Sequence, residues 1–395
     1  MVKLMLDGLG GDSRLPELRR LGAPLVPIEC HHVNCRVSDA MKDIGEVRLG
    51  KLWLVLGYCI QAVWCRFRHG VRYFYYVPAP GKRPALYRDW LVMLLCRPFF
   101  KFTIFHWHAV GLGDWLHREG WWHERIISHW LLGHPAMSIS LAIAGMRDAL
   151  WFKTRDLKIV PNGIPDPCPD FEEKIRPMRL ARAQARRELR GNTMPMGRGQ
   201  EKNSGDPAIF KVLYLAHCTR EKGVFDTIDA VSLSNTILRA KSSPVQMHLT
   251  VAGDFLNPAE EHEFRQRIQR GDISTSVTYA GFLSGPEKVE ALRTSDCYCF
   301  PTYYEAEGLP VSLIEAMAFG LCIVTTRWRA IPEILPHDHA GFVTPRATDE
   351  IAAALLDMIP RDGIALREQF LGRFSMDSYL GSMREVFSSL AEAQP

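Results

Sequence analysis

The feature that most constrains this chain is a double alternation. Short apolar runs alternate with segments of helical spacing twice along the sequence, and a basic, polar stretch separates the two series. In the first series Val2–Leu6, Leu25–Ile28, Val71–Val77, Phe102–His106, Ala136–Leu141 and Lys158–Val160 read as strands. Leu49–Arg68 and Leu86–Cys96 read as helices, with Trp53, Leu56, Ile60, Val63 and Trp64 near one face of the first. In the second series the strands are Val212–Ala216, His248–Ala252, Val277–Tyr279, Cys297–Phe300 and Cys322–Thr325. Helices over Val224–Ala240, Pro258–Arg270, Pro286–Arg293 and Leu313–Phe319 lie between them. Such alternation produces a parallel sheet wrapped on both faces. Two series predict two Rossmann-like α/β domains, one over residues 1–167 and one over 208–375. Residues 168–207, with the basic run Lys174–Arg190 and the Gly/Asn/Ser/Pro-rich Gly191–Pro207, read as a linker carrying a basic helix and a loop. A last helix over 376–395 is expected to pack back on the N-terminal domain.

A chain of 395 residues has room for two or three domains. Its ten cysteines form no CxxC pair and read as reduced thiols, since domains of this size need no disulfide scaffold. Cys30-His31-His32-Val33-Asn34-Cys35 carries donors for half a metal site, but no second half is evident, so no metal is expected. The start, Met1 to Gly11, is short and glycine-broken and does not read as a signal peptide. The apolar run from Trp90 is cut by Arg97, Pro98 and Lys101, which argues against a spanning helix. A cytoplasmic protein is therefore expected. Its net charge of +4 is unevenly spread: residues 1–150 hold 19 Lys/Arg against 12 Asp/Glu, with nine histidines. That half is also aromatic. It reads either as a basic surface over an aromatic core or as a footprint for an anionic membrane or substrate. No nucleic-acid partner is expected.

Four motifs carry chemistry. After the strand Cys297–Phe300 a loop leads to Glu307-Gly308-Leu309-Pro310, and a helix opens near Pro310. Proline suits a first helical turn because its missing N–H would be unpaired there. The free amides of that turn, at the carboxyl end of a strand, suit a diphosphate. Glu315, further into the helix, could accept hydrogen bonds from ribose hydroxyls, and Glu307 from sugar hydroxyls. The plain alternative is two glutamates complementing the helix dipole. The second motif is Leu213–Gly223, in which Lys222 and Arg220 supply positive charge after a strand; a solvated turn ended by Gly223 is its alternative. In the third, His106 and His108 stand at the carboxyl end of Phe102–His106, where α/β folds place ligands. His108, further out, is the favoured candidate, against a structural histidine. Gly8-Leu9-Gly10-Gly11 is a candidate glycine loop, with Gly10 and Gly11 approaching a ligand, and is not a G-x-G-x-x-G fingerprint.

The stretch Glu-Gly-Leu-Pro-Val-Ser-Leu-Ile-Glu from Glu307 to Glu315, followed by Ile323-Val324-Thr325-Thr326 and Ile331-Pro332-Glu333-Ile334, resembles the retaining glycosyltransferase family 4. The resemblance covers most of 158–375 well and the first half more weakly. It implies a GT-B fold, two Rossmann-like domains facing across a cleft, with hinge closure at the linker. It implies that Glu315 binds ribose, that Glu307 contacts the transferred sugar, and that Lys222 holds the diphosphate. A histidine at the strand end lies near the sugar in that family, which assigns His108 a positioning role. Gly281-Phe282-Leu283 resembles the loop beside the base, and Pro161-Asn162-Gly163-Ile164 the turn closing the first domain. The family's phosphate arginine falls on His217, so Arg220 or Arg329 is left to replace it. Where the family often has two glycines before Ile-Pro-Glu, this chain has Arg329 and Ala330.

These readings lead to one expectation: a hexosyl-type glycosyltransferase using a nucleoside-diphosphate sugar, with retention, in polysaccharide or glycoconjugate synthesis. Gly308, Leu309, Pro310, Phe282 and Leu283 join Lys222, Arg220 and Glu315 around the sugar donor. No cofactor and no metal are required. A saccharide or lipid-linked saccharide is the expected acceptor, with a candidate peripheral contact to the inner membrane face. The alternatives are an epimerase or phosphorylase on the same fold, or a nucleotide-sugar binder without activity.

Overall fold

The structure is a computed structural model that describes residues 9, 28–34, 49–190, 206–271 and 273–393. The expected strand Val2–Leu6, the candidate glycine loop at Gly10 and Gly11, and most of Gly191–Pro207 lie outside the described residues. The chain forms two compact units. One comprises Met1–Gly163, Ala306–Leu309 and Met376–Pro395; the other comprises Ile164–Glu305 and Pro310–Ser375.

In the first unit α1 (Leu49–His69), β1 (Tyr73–Tyr76), α2 (Arg83–Cys96), β2 (Phe102–Trp107), α3 (Leu112–Arg118), α4 (Trp122–Leu132), β3 (Met137–Ser140), α5 (Met146–Trp151) and β4 (Leu157–Ile159) follow in order. The four strands are parallel in the order β1-β2-β3-β4. Because side chains alternate along a strand, β2 serves two cores. Phe105 and Trp107 pack with Val55 and Cys59 of α1, Met93 of α2 and Leu132 of α4. Ile104 packs on the other face with Ile139, Met376, Tyr379, Leu380 and Met383, so the C-terminal helix Met376–Ala393 covers that side of the sheet.

The inner face of α1 is Val55, Cys59 and Ala62. Trp53, Ile60 and Trp64, which the spacing places on one stripe, form its exposed face. Periodicity locates an apolar stripe but does not say which side of the helix it faces when both sides are apolar.

The second unit comprises α6 (Arg176–Arg190), β5 (Ile209–Leu215), α7 (Val224–Ala240), β6 (Gln246–Ala252), α8 (Pro258–Ile268), β7 (Val277–Gly281), α9 (Gly285–Thr294), β8 (Cys297–Phe300), α10 (Val311–Ala318), β9 (Cys322–Thr326), β10 (Phe342–Val343), α11 (Thr348–Met358) and α12 (Ile364–Arg373). Its six strands are parallel, in the order β10-β9-β8-β5-β6-β7. Strand order reverses at β5, which lies between β8 and β6. Cys297, Cys299 and Cys322 are buried free thiols in this sheet.

The basic helix differs from its reading as part of a linker: α6 belongs to the second unit, and Arg179, Arg182 and Arg186 are buried. Arg179 donates to the carbonyls of Phe319 (2.6 Å), Ser295 (2.7 Å) and Leu292 (3.2 Å), which end α10 and α9. These are the unpaired carbonyls at the negative ends of two helix dipoles. Arg182 and Arg186 hold the two oxygens of the buried Asp296 at 3.2 and 2.6 Å. Burial lowers Arg179 to about 10, still far above neutrality, so it remains charged. A run of arginines reads as solvated only until its acceptors are known, and here the carbonyls that take Arg179 and the Asp296 shared by Arg182 and Arg186 lie more than a hundred residues away in sequence.

Candidate functional site

The switch point between β8 and β5 is where an open parallel sheet leaves a crevice at its carboxyl ends. The two loops that leave those strands carry the expected site residues. The β5 loop ends in the one-turn 3₁₀ segment Arg220–Lys222, and the β8 loop ends at Pro310, the N-cap of α10. Tyr303 donates its backbone N–H to the Glu221 carbonyl at 2.7 Å, tying the loops together. Gly223 closes the first loop at φ +82, and a Cβ there would fall 2.6 Å from the Pro301 carbonyl oxygen. Only glycine meets both conditions.

Lys222 extends over the rings of Tyr304, at 4.7 Å, and Phe300, at 5.6 Å. Its ammonium group is therefore held by the end of β8 and the loop that follows. The Leu313 and Ile314 amides of α10 donate to the Pro310 carbonyl at 3.2 and 3.4 Å, which leaves the amides of Val311 and Ser312 at the positive end of its dipole without an intrahelical acceptor. Ser312 in that turn is bonded to Tyr298 of β8, Oγ to Oη 2.7 Å. Glu315, one turn on, accepts from Lys288 of α9 at 2.6 Å. The sequence offers no sign of Lys288, because the pair joins residues 27 positions apart on separate helices. Phe282, exposed, and Leu283, half-buried, lead from β7 into α9.

Neither candidate for the missing phosphate arginine is held in reserve. Arg220 pairs with Glu263 of α8 at 2.5 Å and stacks over Phe225 at 4.5 Å. The Glu263 hydrogen bond raises its pKa. Arg329 has φ +49, lies 5.6 Å from the Trp328 ring and has Nη2 3.7 Å from Glu305. Its buried Nε has no hydrogen-bond partner among the described residues. A left-handed backbone here accounts for the glycine that the resembling family often carries, and costs an arginine about 1–2 kcal/mol.

In the first unit β2 runs one residue beyond its expected end, to Trp107. His106 is fully buried and bonded through Nδ1 to the Tyr75 hydroxyl. His108 lies just past the strand, half-buried, its ring centroid 4.2 Å from that of His106. Burial lowers His108 to about 4 and His106 well below its ordinary range. Both imidazoles are therefore neutral at pH 7. The Nε2 atoms of both are buried without a partner among the described residues. Glu307 and Leu309, buried, and Gly308 cluster with this unit. A Cβ on Gly308 would lie 2.7 Å from the His108 carbonyl oxygen, so the Glu307 loop passes directly against the β2 end.

Away from these loops, Glu29, His31 and His69 place their donor atoms within 4.8 Å of one another, the one metal-capable cluster among the described residues. Of the described residues in Cys30–Cys35 only His31 takes part, and His69 is a donor that the sequence does not reveal. It stacks on His31 at 4.0 Å, and Glu29 is largely exposed.

Residues 200–370 match the model of the family described as glycosyl transferases group 1. That region, most of the second unit, is similar to this family. The amylovoran biosynthesis glycosyltransferase AmsK of Erwinia amylovora is 29% identical over 150 residues, 37% of this chain and 35% of that protein. The phosphatidyl-myo-inositol mannosyltransferase of Mycolicibacterium smegmatis is 32% identical over 117 residues, 29% of each. The chain thus spans about a third of the length of the curated relatives it matches. Anabaena Alr3699/HepE, solved in complex with UDP and glucose, matches 87% of this chain and 83% of its own at a TM-score of 0.58 and 16% identity. The fold is GT-B.

Proposed function

We propose that the protein is a glycosyltransferase that moves a sugar from a nucleoside-diphosphate sugar to an acceptor hydroxyl with retention of configuration. One observation carries the reading. The two loops flanking the switch point of the second sheet supply, side by side, a lysine, a helix N-terminus and a carboxylate, which match a diphosphate and a ribose. Lys222 and the α10 amides stabilise the departing nucleoside diphosphate by fixed charge, and no metal is required. Glu315 takes the ribose hydroxyls, Glu307 the sugar, and neutral His108 hydrogen-bonds the sugar without acting as a nucleophile.

The named relatives act in polysaccharide or glycolipid synthesis, which supports a saccharide or lipid-linked saccharide acceptor. Among the described residues no helix is long and apolar enough to cross a membrane. We place the enzyme at the inner membrane face as a peripheral protein. The test is a thermal-shift screen with UDP, GDP, ADP and their sugars, followed by NMR of the product anomer. One nucleotide series should stabilise the protein, and its sugar should be transferred with retained configuration. Nucleotide binding without hydrolysis or transfer of any sugar would leave a binding protein instead.

A further inference from the structure

The helices on one side of the first sheet turn apolar residues outward. On α1 the outward residues Trp53, Ile60, Trp64 and Phe67 are 74%, 70%, 57% and 69% exposed. At 100° per residue they fall within an arc of about 60°, opposite the buried Val55, Cys59 and Ala62. On α4, Trp122, Ile126 and Trp130 make a second exposed row, opposite the buried Glu124, Ser128 and Leu131. Between them α2, packed against both, exposes Tyr87 and Leu94. A surface helix of a globular protein turns charge outward, and contiguous exposed aromatic rows mark an interaction face.

Charge identifies the occupant. The carboxylates of α1, α2 and α4 are Asp89 and Glu124, and both are fully buried. Asp89 is held by Tyr76 at 2.7 Å and the Ala79 amide at 2.7 Å; Glu124 is held by Arg83 at 3.1 Å and Tyr87 at 2.7 Å. No carboxylate therefore reaches the surface of these helices, while Arg68 at the end of α1 and Lys101 beyond α2 are exposed. From residue 49 to 113 the chain carries nine Lys/Arg and one acidic residue. Tryptophan prefers the headgroup level of a bilayer, and basic residues beside it are drawn to anionic lipid.

We infer that the outer faces of α1, α2 and α4 form a docking surface for an anionic lipid bilayer, seated by the Trp53–Phe67 and Trp122–Trp130 rows. This names the surface behind the peripheral membrane contact proposed above and rests on that reading. The full chain should co-sediment with phosphatidylcholine vesicles containing phosphatidylglycerol, and much less with phosphatidylcholine alone or at high salt. Brominated lipid should quench its tryptophan fluorescence. The quadruple variant Trp53→Ser, Trp64→Ser, Trp122→Ser, Trp130→Ser should lose at least about tenfold in vesicle affinity. Arg68→Glu with Lys101→Glu should cut binding to anionic vesicles while leaving the aromatic rows intact. Since all six substitutions lie outside the nucleotide site, each variant should keep the wild-type thermal shift with its nucleotide.

Vesicle binding equal to wild type in both variants would overturn the inference, as would wild type that ignores anionic vesicles. A concentration-dependent dimer lost in the tryptophan variant would give the face to a second copy instead. Vesicle binding without any nucleotide shift would break the glycosyltransferase reading and leave the docking surface standing.

Discussion

The two sheets end in different chemistry. At the carboxyl end of the first stand two neutral, buried imidazoles whose Nε2 atoms have no partner among the described residues. At the corresponding end of the second stand ions that are already engaged: Glu315 by Lys288, Arg220 by Glu263, Lys222 over two aromatic rings. A buried unpaired nitrogen costs about 1–3 kcal/mol and persists where something else offsets it. An engaged surface ion costs little and exchanges partners readily. In the function we propose, the first end serves the reacting sugar and the second holds the nucleotide.

The sharpest way to break this division is His108→Ala. Removing a group that acts on the reacting sugar should lower kcat by about 10²–10³-fold. The nucleotide dissociation constant, set by the second unit, should move less than about twofold. A variant as active as wild type, or one that loses nucleotide affinity instead, reverses the assignment. Next is Glu315→Ala. Losing a charged hydrogen-bond acceptor for ribose should weaken nucleoside diphosphate binding about ten- to a hundredfold. The effect should shrink for the 2′-deoxy nucleotide. An unchanged dissociation constant, followed by calorimetry, removes the ribose role.

Much of this molecule is legible in its sequence. The helix expected over Val224–Ala240 and the strand over Cys297–Phe300 have those same bounds in the structure, because a sheet buried on both faces writes near-continuous apolar runs. Lys222 and the Pro310 helix start are legible for a similar reason: each is a local device at a strand end. What escapes the sequence is partnership at a distance. Lys288 on Glu315, Arg179 on the ends of two helices, and His69 beside His31 are made by the fold, and no local spacing announces them. The outward turn of Trp53 and Trp64 escapes because α1 is apolar on both sides.

A smaller effect tests the engaged end of the comparison. Lys288→Met frees the Glu315 carboxylate, and Lys288→Arg keeps its partner. If the lysine orients Glu315, the methionine variant should bind nucleotide about two- to fivefold more weakly, with the arginine variant restored. Tighter binding in Lys288→Met would mean that the pair competes with ribose. Metal removal is expected to do less still: with fixed charges at the diphosphate, EDTA should leave transfer unchanged, and a loss reversed by a divalent cation would refute the metal-free reading.

The smallest expected change in rate comes from pH. An exposed histidine gains its proton near 6.5, whereas burial holds His108 neutral down to about 4. Through this residue, kcat should therefore stay flat between about pH 5.5 and 7.5, with its acid limb near 4. Stability follows a different course over the same range. The unfolded chain takes up the proton as pH falls through 6.5, while the folded chain holds out to about 4, so the unfolded state binds more protons between the two. The contribution is full above 6.5, declines as pH falls toward 4 and is constant below, amounting to about 3 kcal/mol for His108. His106, shifted the same way, adds to it. Denaturation midpoints falling with acid while the turnover of the still-folded enzyme holds level would show that neutral imidazole is the working form. A rate inflection near 6.5 that disappears in His108→Ala would show instead that the ring is charged when it acts, and the distinction between the two sheet ends would fail.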